Sequence, residues 1–87
     1  MKILITGAAG FIGMTAGLRL LARGDEVVGL DNLNDYYDVR LKESRLQRLT
    51  AYAKFRFVKL DIADRAGMEA LFATEKFDKV IHLAAQA

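Results

Sequence analysis

Apolar and polar positions divide the chain into short segments of alternating period. Lys2-Ile3-Leu4-Ile5-Thr6 is rich in β-branched residues and ends at Gly7. A continuous apolar run of that length before a turn residue predicts a buried strand. From Phe11 to Arg23 the spacing becomes helical, with Ile12, Ala16 and Leu20 at i, i+4 and i+8 on one expected apolar face. Gly24-Asp25 predicts the helix stop, because glycine takes the left-handed position after the last turn without steric cost. Glu26 to Leu30 reads as a second strand closed by Asp31, and Asp38 to Tyr52 as a second helix with Val39, Leu46, Leu49 and Ala53 in phase. Phe55 to Leu60 reads as a third strand ending at Asp61. Asp64 is expected to cap a short helix that carries Met68, Leu71 and Phe72 inward, and Asp78 to Leu83 forms the fourth strand.

Strands alternating with helices at this spacing call for a parallel sheet with right-handed crossovers, an α/β doubly wound fold. The expected order β-α-β-α-β-α-β fits the first half of a Rossmann-type sheet, with strands in the order 3-2-1-4. Residues 1–87 are therefore expected to be the amino-terminal part of a dinucleotide-binding domain. Strand 4, apolar and normally flanked by a fifth strand, is expected to be an open edge through which the chain self-associates.

Chemistry enters with Thr6-Gly7-Ala8-Ala9-Gly10-Phe11-Ile12-Gly13, which follows a predicted strand and opens a predicted helix. In that context Gly7 lets the chain turn sharply, Gly10 clears space for a pyrophosphate, and Gly13 lets the helix sit close to the sheet. Free N–H groups of the first turn, aided by the helix dipole, then face the anion. A glycine-rich turn without a ligand is the alternative. Asp31, about 20 residues after the loop, stands where a carboxylate meets the adenosine ribose hydroxyls; an Asx turn at the strand end is its competing role. A 2′-phosphate ~4 Å from this carboxylate would cost about 4 kcal/mol per charge pair at an effective dielectric of ~20. NAD is thus expected in preference to NADP.

Composition narrows the picture further. An apolar fraction of 53% with 28% charged residues fits a packed domain rather than a disordered chain. The absence of cysteine excludes disulfides and thiolate metal sites and is compatible with a reducing compartment. No apolar run approaches the ~20 residues that span a bilayer, and Met1-Lys2 leads into too short an apolar stretch for a signal peptide. A cytoplasmic protein without a membrane partner is the expectation.

The motifs Thr-Gly-x-x-Gly-x-x-Gly, Asp31-Asn32-Leu33, Asp61-Ile62 and His82-Leu83-Ala84-Ala85 resemble those of the extended short-chain dehydrogenase/reductase family. Leu30-Asp31-Asn32-Leu33-Asn34-Asp35-Tyr36-Tyr37-Asp38, with Leu41-Lys42 after it, is similar more narrowly to UDP-glucuronate 4-epimerases and their nucleotide-sugar epimerase relatives. The resemblance covers the whole chain but only the first part of such an enzyme. It implies that Gly7, Gly10, Phe11, Ile12 and Gly13 cradle the pyrophosphate of NAD, and that Asp31, Asn32 and Asn34 hold the adenosine ribose region. It further implies that Lys42 reaches the adenosine end, Asp61 and Ile62 contact adenine, and Leu83, Ala84 and Ala85 line the path to the nicotinamide. In such enzymes a tyrosine removes a proton from the sugar hydroxyl while NAD takes the hydride; the keto-sugar turns and receives the hydride back on its other face. Against the family pattern, Met14-Thr15-Ala16-Gly17 is an unusual start to the first helix.

The catalytic set that the family uses is not in this chain. A Tyr-x-x-x-Lys pair, in which lysine lowers the tyrosine pKa, is absent: Tyr36 is followed at that spacing by Arg40, Tyr37 by Leu41 and Tyr52 by Arg56. No catalytic residue is therefore assigned, and His82 reads as structural. The acidic pairs Asp35/Asp38 and Asp61/Asp64 occur at turns and helix starts, where Asp serves as a cap, so no metal site is assigned. Arg40, Lys42, Arg45, Arg48, Lys54, Arg56 and Lys59 stand against Glu43 alone, but with a net charge of +2 they read as solvated surface rather than a nucleic-acid face. The expected function is the NAD-binding portion of a nucleotide-sugar epimerase, inactive alone. A nucleotide-sensing module without catalysis, another sugar dehydratase or 4-epimerase of the extended family, and a piece completed by a second chain are the alternatives.

Overall fold

A computed structural model describes residues 1–33 and 39–84. The elements are β1 (Lys2–Thr6), α1 (Phe11–Ala22), β2 (Glu26–Asp31), α2 (Val39–Thr50), β3 (Phe55–Lys59), α3 (Arg65–Thr74) and β4 (Lys79–His82). All strand pairs are parallel and the sheet order is β3-β2-β1-β4, as the alternation of periods predicts. β1 lies between β2 and β4, with Ile5 opposite Gly29 on one side and Ile81 on the other.

The sheet buries different amounts on its two faces. Ile3, Ile5 and Val27 face α1 and α2, where Ala8, Ala9, Met14, Leu21, Leu46, Leu49 and Phe55 complete one buried cluster. Leu4, Val28 and Leu30 point the other way, against Met68 and Leu71 of α3 and Phe77 after it, all three only partly buried. Alternate residues of a strand point to opposite faces, so a strand covered on both sides must be apolar throughout. β1 meets that requirement: Ile3, Leu4, Ile5 and Thr6 are all at most 1% exposed.

Several expectations shift. The inward face of α1 is made by Gly13, Met14, Gly17 and Leu21, while Ile12 is 68% exposed. The helix sits so close to α2 that a Cβ at Gly17 would come within 2.9 Å of a Leu49 methyl; the contact runs over small residues, so the bulkiest apolar positions do not mark it. Ala16 and Leu20 only flank the core. Ala53 lies beyond the end of α2 and is exposed. Phe72 is 45% exposed rather than inward, and its outer ring meets Phe77 edge to face at 5.5 Å. β4 is not buried on both faces: Val80 is 47% exposed and only Ile81 packs against the core. Gly24 does take the left-handed position after α1, at φ +95°, and Asp64 does cap α3, accepting from the Gly67 N–H at 3.0 Å.

Candidate functional site

The carboxyl ends of β1, β2, β3 and β4 bring the glycine turn, Asp31, Asp61 and Leu83-Ala84 to one rim of the sheet. In a doubly wound sheet this rim, beside the strand where the order reverses, is where ligands bind. Gly7 makes the turn off β1 with φ +75°, and its N–H donates to the Leu30 carbonyl at 2.8 Å. α1 begins at Phe11 after Gly10, which has no side chain to cap the helix, and no acidic residue lies in the first turn. The first helical bond is from Met14 N–H to Gly10 O at 2.9 Å. The donors ahead of it are the unsatisfied set that a helix start offers to an anion. Phe11 and Ile12, 65% and 68% exposed, flank that opening. Gly13 lies against the turn itself, where a Cβ would stand 2.2 Å from the Gly7 carbonyl oxygen.

Asp31 ends β2 with only 5% of its surface exposed. Its Oδ2 accepts the Ala9 N–H at 3.1 Å, and its Oδ1 accepts the Leu33 N–H at 2.9 Å. The second of these is the Asx turn expected as the competing role, and the first ties the carboxylate to the glycine turn. The two roles coexist. A carboxylate offers about four acceptor positions. A third is filled by Lys42, whose Nζ lies 3.3 Å from Oδ1 with its side chain 10% exposed. Leu33 follows in the left-handed region at φ 52°, a conformation that the Asp31 bond helps to hold.

Around this centre, Asn32 and Asp61 stand side by side, with Asn32 Nδ2 3.5 Å from Asp61 Oδ2. Asp61 Oδ1 accepts from the Ala63 N–H at 2.9 Å, and Ile62 packs at the border of the second cluster. Arg45 of α2 donates to the Ala9 carbonyl at 3.3 Å, and its guanidinium lies 6.0 Å from the centre of the Phe11 ring. On the far side of the turn, Leu83 and Ala84 N–H groups donate to Thr6 Oγ1 at 3.0 and 3.2 Å, and His82 Nδ1 is 2.7 Å from the same oxygen. Asn34 and Ala85, with Asp35, Tyr36, Tyr37 and Asp38, lie outside the described residues.

A hollow of about 800 Å³ lies at the opposite end of the strands, lined among others by Lys2, Glu26, Lys54, Phe55 and Asp78. Its basic groups are engaged within the chain, Lys54 with the Gly24 carbonyl and Lys2 with Glu75. Along α2 and β3, Lys42 pairs with Asp31, Arg45 with Ala9, and Arg56 with Glu75; Lys42 is buried in doing so, while the Arg56 side chain stays 57% exposed. Among the described residues no group of three His, Asp or Glu side chains forms a metal site, and no helix is long and apolar enough to cross a membrane.

A family model for GDP-mannose 4,6-dehydratase matches residues 4–87. The chain belongs to that family. Among family relatives, a UDP-glucuronate 4-epimerase of Thermodesulfobacterium geofontis is 48% identical over 97% of the chain and 26% of its own length. An uncharacterized 37.6 kDa protein of Escherichia coli O111:H- is 59% identical over 92% of the chain and 24% of its own length. The crystal structure of UDP-glucuronic acid 4-epimerase from Bacillus cereus in complex with NAD superposes with a TM-score of 0.84. It is 38% identical over the whole of this chain and 28% of its own. The chain thus spans about a quarter of these relatives. These solved relatives place the family among the extended short-chain dehydrogenase/reductases that the motifs resemble.

Sequence reasoning missed two features of the rim: the inward turn of Lys42 onto Asp31, and Arg45 on the glycine turn. The spacing of Lys42 and Arg45, three apart on one helix, signals that they share a face but not that this face meets Asp31.

Proposed function

We propose that these residues form the NAD-binding part of an NAD-dependent nucleotide-sugar epimerase resembling the UDP-glucuronate 4-epimerases. The observation that carries the reading is the uncapped start of α1 beside the buried Asp31, with glycine where a Cβ would fill the cradle. That arrangement fits a pyrophosphate on the α1 amides and an adenosine ribose at Asp31. The relatives' names and the NAD in their solved structures support the same reading. They favour the epimerase over a 4,6-dehydratase or a sensing module.

Bound there, NAD supplies a reversible hydride acceptor for the sugar C4. The chain's own part is binding and orientation. Gly7, Gly10, Phe11, Ile12 and Gly13 hold the diphosphate, and Asp31, Asn32 and Asn34 the ribose region. Asp61 and Ile62 border the adenine, and Leu83, Ala84 and Ala85 the route to the nicotinamide. The sugar proton has no acceptor here, since no Tyr-x-x-x-Lys pair is present. The isolated chain is expected to turn over no UDP-sugar, and conversion of UDP-glucuronate above a buffer control with added NAD would contradict this. We read the protein as cytoplasmic, with a nucleotide sugar rather than nucleic acid or a membrane as its partner. We read the isolated chain as self-associating through the β4 edge, where Val80 is 47% exposed; a monomer by sedimentation at high micromolar concentration would contradict that.

Calorimetric titration tests the cofactor. NAD is expected to bind more tightly than NADP, and Asp31→Ala to narrow the gap. Equal affinities in the unaltered chain would overturn the assignment.

A further inference from the structure

Asp31 does not stand alone at the ribose site, and its neighbour changes what it can select. Lys42 reaches it from α2 with a Nζ–Oδ1 distance of 3.3 Å, and both side chains are withdrawn from solvent, at 10% and 6% exposure. A carboxylate by itself would reject a 2′-phosphate by repulsion. Paired with a buried ammonium, it presents almost no net charge.

Most acceptor positions of the carboxylate are already taken. Oδ1 already accepts from Leu33 N–H and from Lys42, and Oδ2 accepts from Ala9 N–H. Of about four acceptor positions on a carboxylate, the described residues leave one, on Oδ2. A ribose hydroxyl can donate to it; a phosphate dianion cannot. An ammonium has three donors, and among the described residues Lys42 gives one of them to Asp31. A group within hydrogen-bond reach of Oδ1 stands within about 6 Å of Nζ, and one bonded to Oδ2 within about 8 Å, close enough to feel its charge.

We propose that Lys42 is a specificity-determining residue: by cancelling the Asp31 charge it lets the site tolerate a 2′-phosphate, leaving discrimination to the single free acceptor on Oδ2. The preference for NAD is then modest, and it rests on a missing donor rather than on repulsion. The inference builds on the proposed NAD site. Arg45 is unaltered in every variant below and donates to the Ala9 carbonyl at 3.3 Å, so the same second cation stands near the turn throughout.

The test is calorimetric Kd values for NAD and NADP on the full chain and its variants, with circular dichroism to confirm folding. Lys42→Met exposes the bare carboxylate, so the NAD-over-NADP preference is expected to widen at least tenfold, nearly all through weaker NADP binding. Lys42→Arg, which keeps the charge, is expected to stay within threefold of the unaltered chain. Asp31→Asn leaves Lys42 unbalanced and is expected to bring NADP to at least the affinity of NAD, which decides the matter if Lys42→Met does not fold. A Lys42→Met preference within threefold of the original, or a narrower one, would overturn the inference while leaving the NAD site intact. So would an unchanged preference in Asp31→Asn. An unaltered chain that binds neither dinucleotide would overturn the proposed function, and this inference with it.

Discussion

The two faces of the sheet are built to different standards. Two helices cover the face of Ile3, Ile5 and Val27, and ten of the described residues there are buried. One helix covers the face of Leu4, Val28 and Leu30; no residue of α3 is buried, and its apolar partners Met68, Leu71 and Phe77 remain partly open. The candidate site belongs to the first face: the glycine turn, α1 and the α2 side chains that reach Asp31 all lie there. Precise placement of a ligand cradle needs close packing behind it, because only a dense neighbourhood holds side chains to single rotamers. The second face lends Asp61 and Ile62, whose proposed contact with a flat adenine ring asks for less precision.

The contrast can be broken with adjacent residues of β1. Ile5→Ala and Leu4→Ala remove similar volumes from positions that are both fully buried. The well-covered face cannot collapse into the void, so Ile5→Ala is expected to cost about 4 kcal/mol and Leu4→Ala about 2–3 kcal/mol. Urea denaturation of both variants checks this; equal costs, or the reverse order, would remove the distinction. Next in size is Gly13→Ala. Its Cβ would meet the Gly7 carbonyl oxygen at 2.2 Å, with backbone on both sides and no flexible side chain to move. A loss of about 3 kcal/mol is expected, together with loss of NAD binding, measured by denaturation and titration on the same sample. The smallest effect sharpens the other side. Asp64→Ala removes the cap of α3 and is expected to cost about 1 kcal/mol with NAD affinity unchanged. A change in affinity beyond threefold would mean that the thinly covered face does govern the site.

The strand order and element sequence were legible because alternating periods and glycine stops carry them. The faces of the helices were less so. Periodicity weighs bulk, and α1 turns Gly13 and Gly17 inward while leaving Ile12 outside, since close approach to the Gly7 carbonyl and to Leu49 matters more than hydrophobicity there. Phe72 reads as core by spacing but meets Phe77 edge to face at the rim of a face that only one helix covers. Asp31 was legible from its distance after the glycine turn. Its pairing with Lys42 was not, because it depends on the direction in which α2 crosses the sheet, and no local pattern encodes that. By charge alone the basic residues of α2 read as solvated surface; only the family resemblance draws Lys42 to the adenosine end, and Lys42 is 8% exposed.

Thr6 carries one further consequence. Its hydroxyl oxygen accepts from the Leu83 and Ala84 N–H groups, which fills both lone pairs, and the Leu83 N–H is shared with the Thr6 carbonyl at 3.1 Å. The hydroxyl proton can then point only at His82 Nδ1, 2.7 Å away. The neutral imidazole that accepts this proton carries its own on Nε2. One backbone turn thus fixes the tautomer of a surface ring, and ¹⁵N shifts of His82 would report, from outside the rim, whether the β4 end is seated on β1.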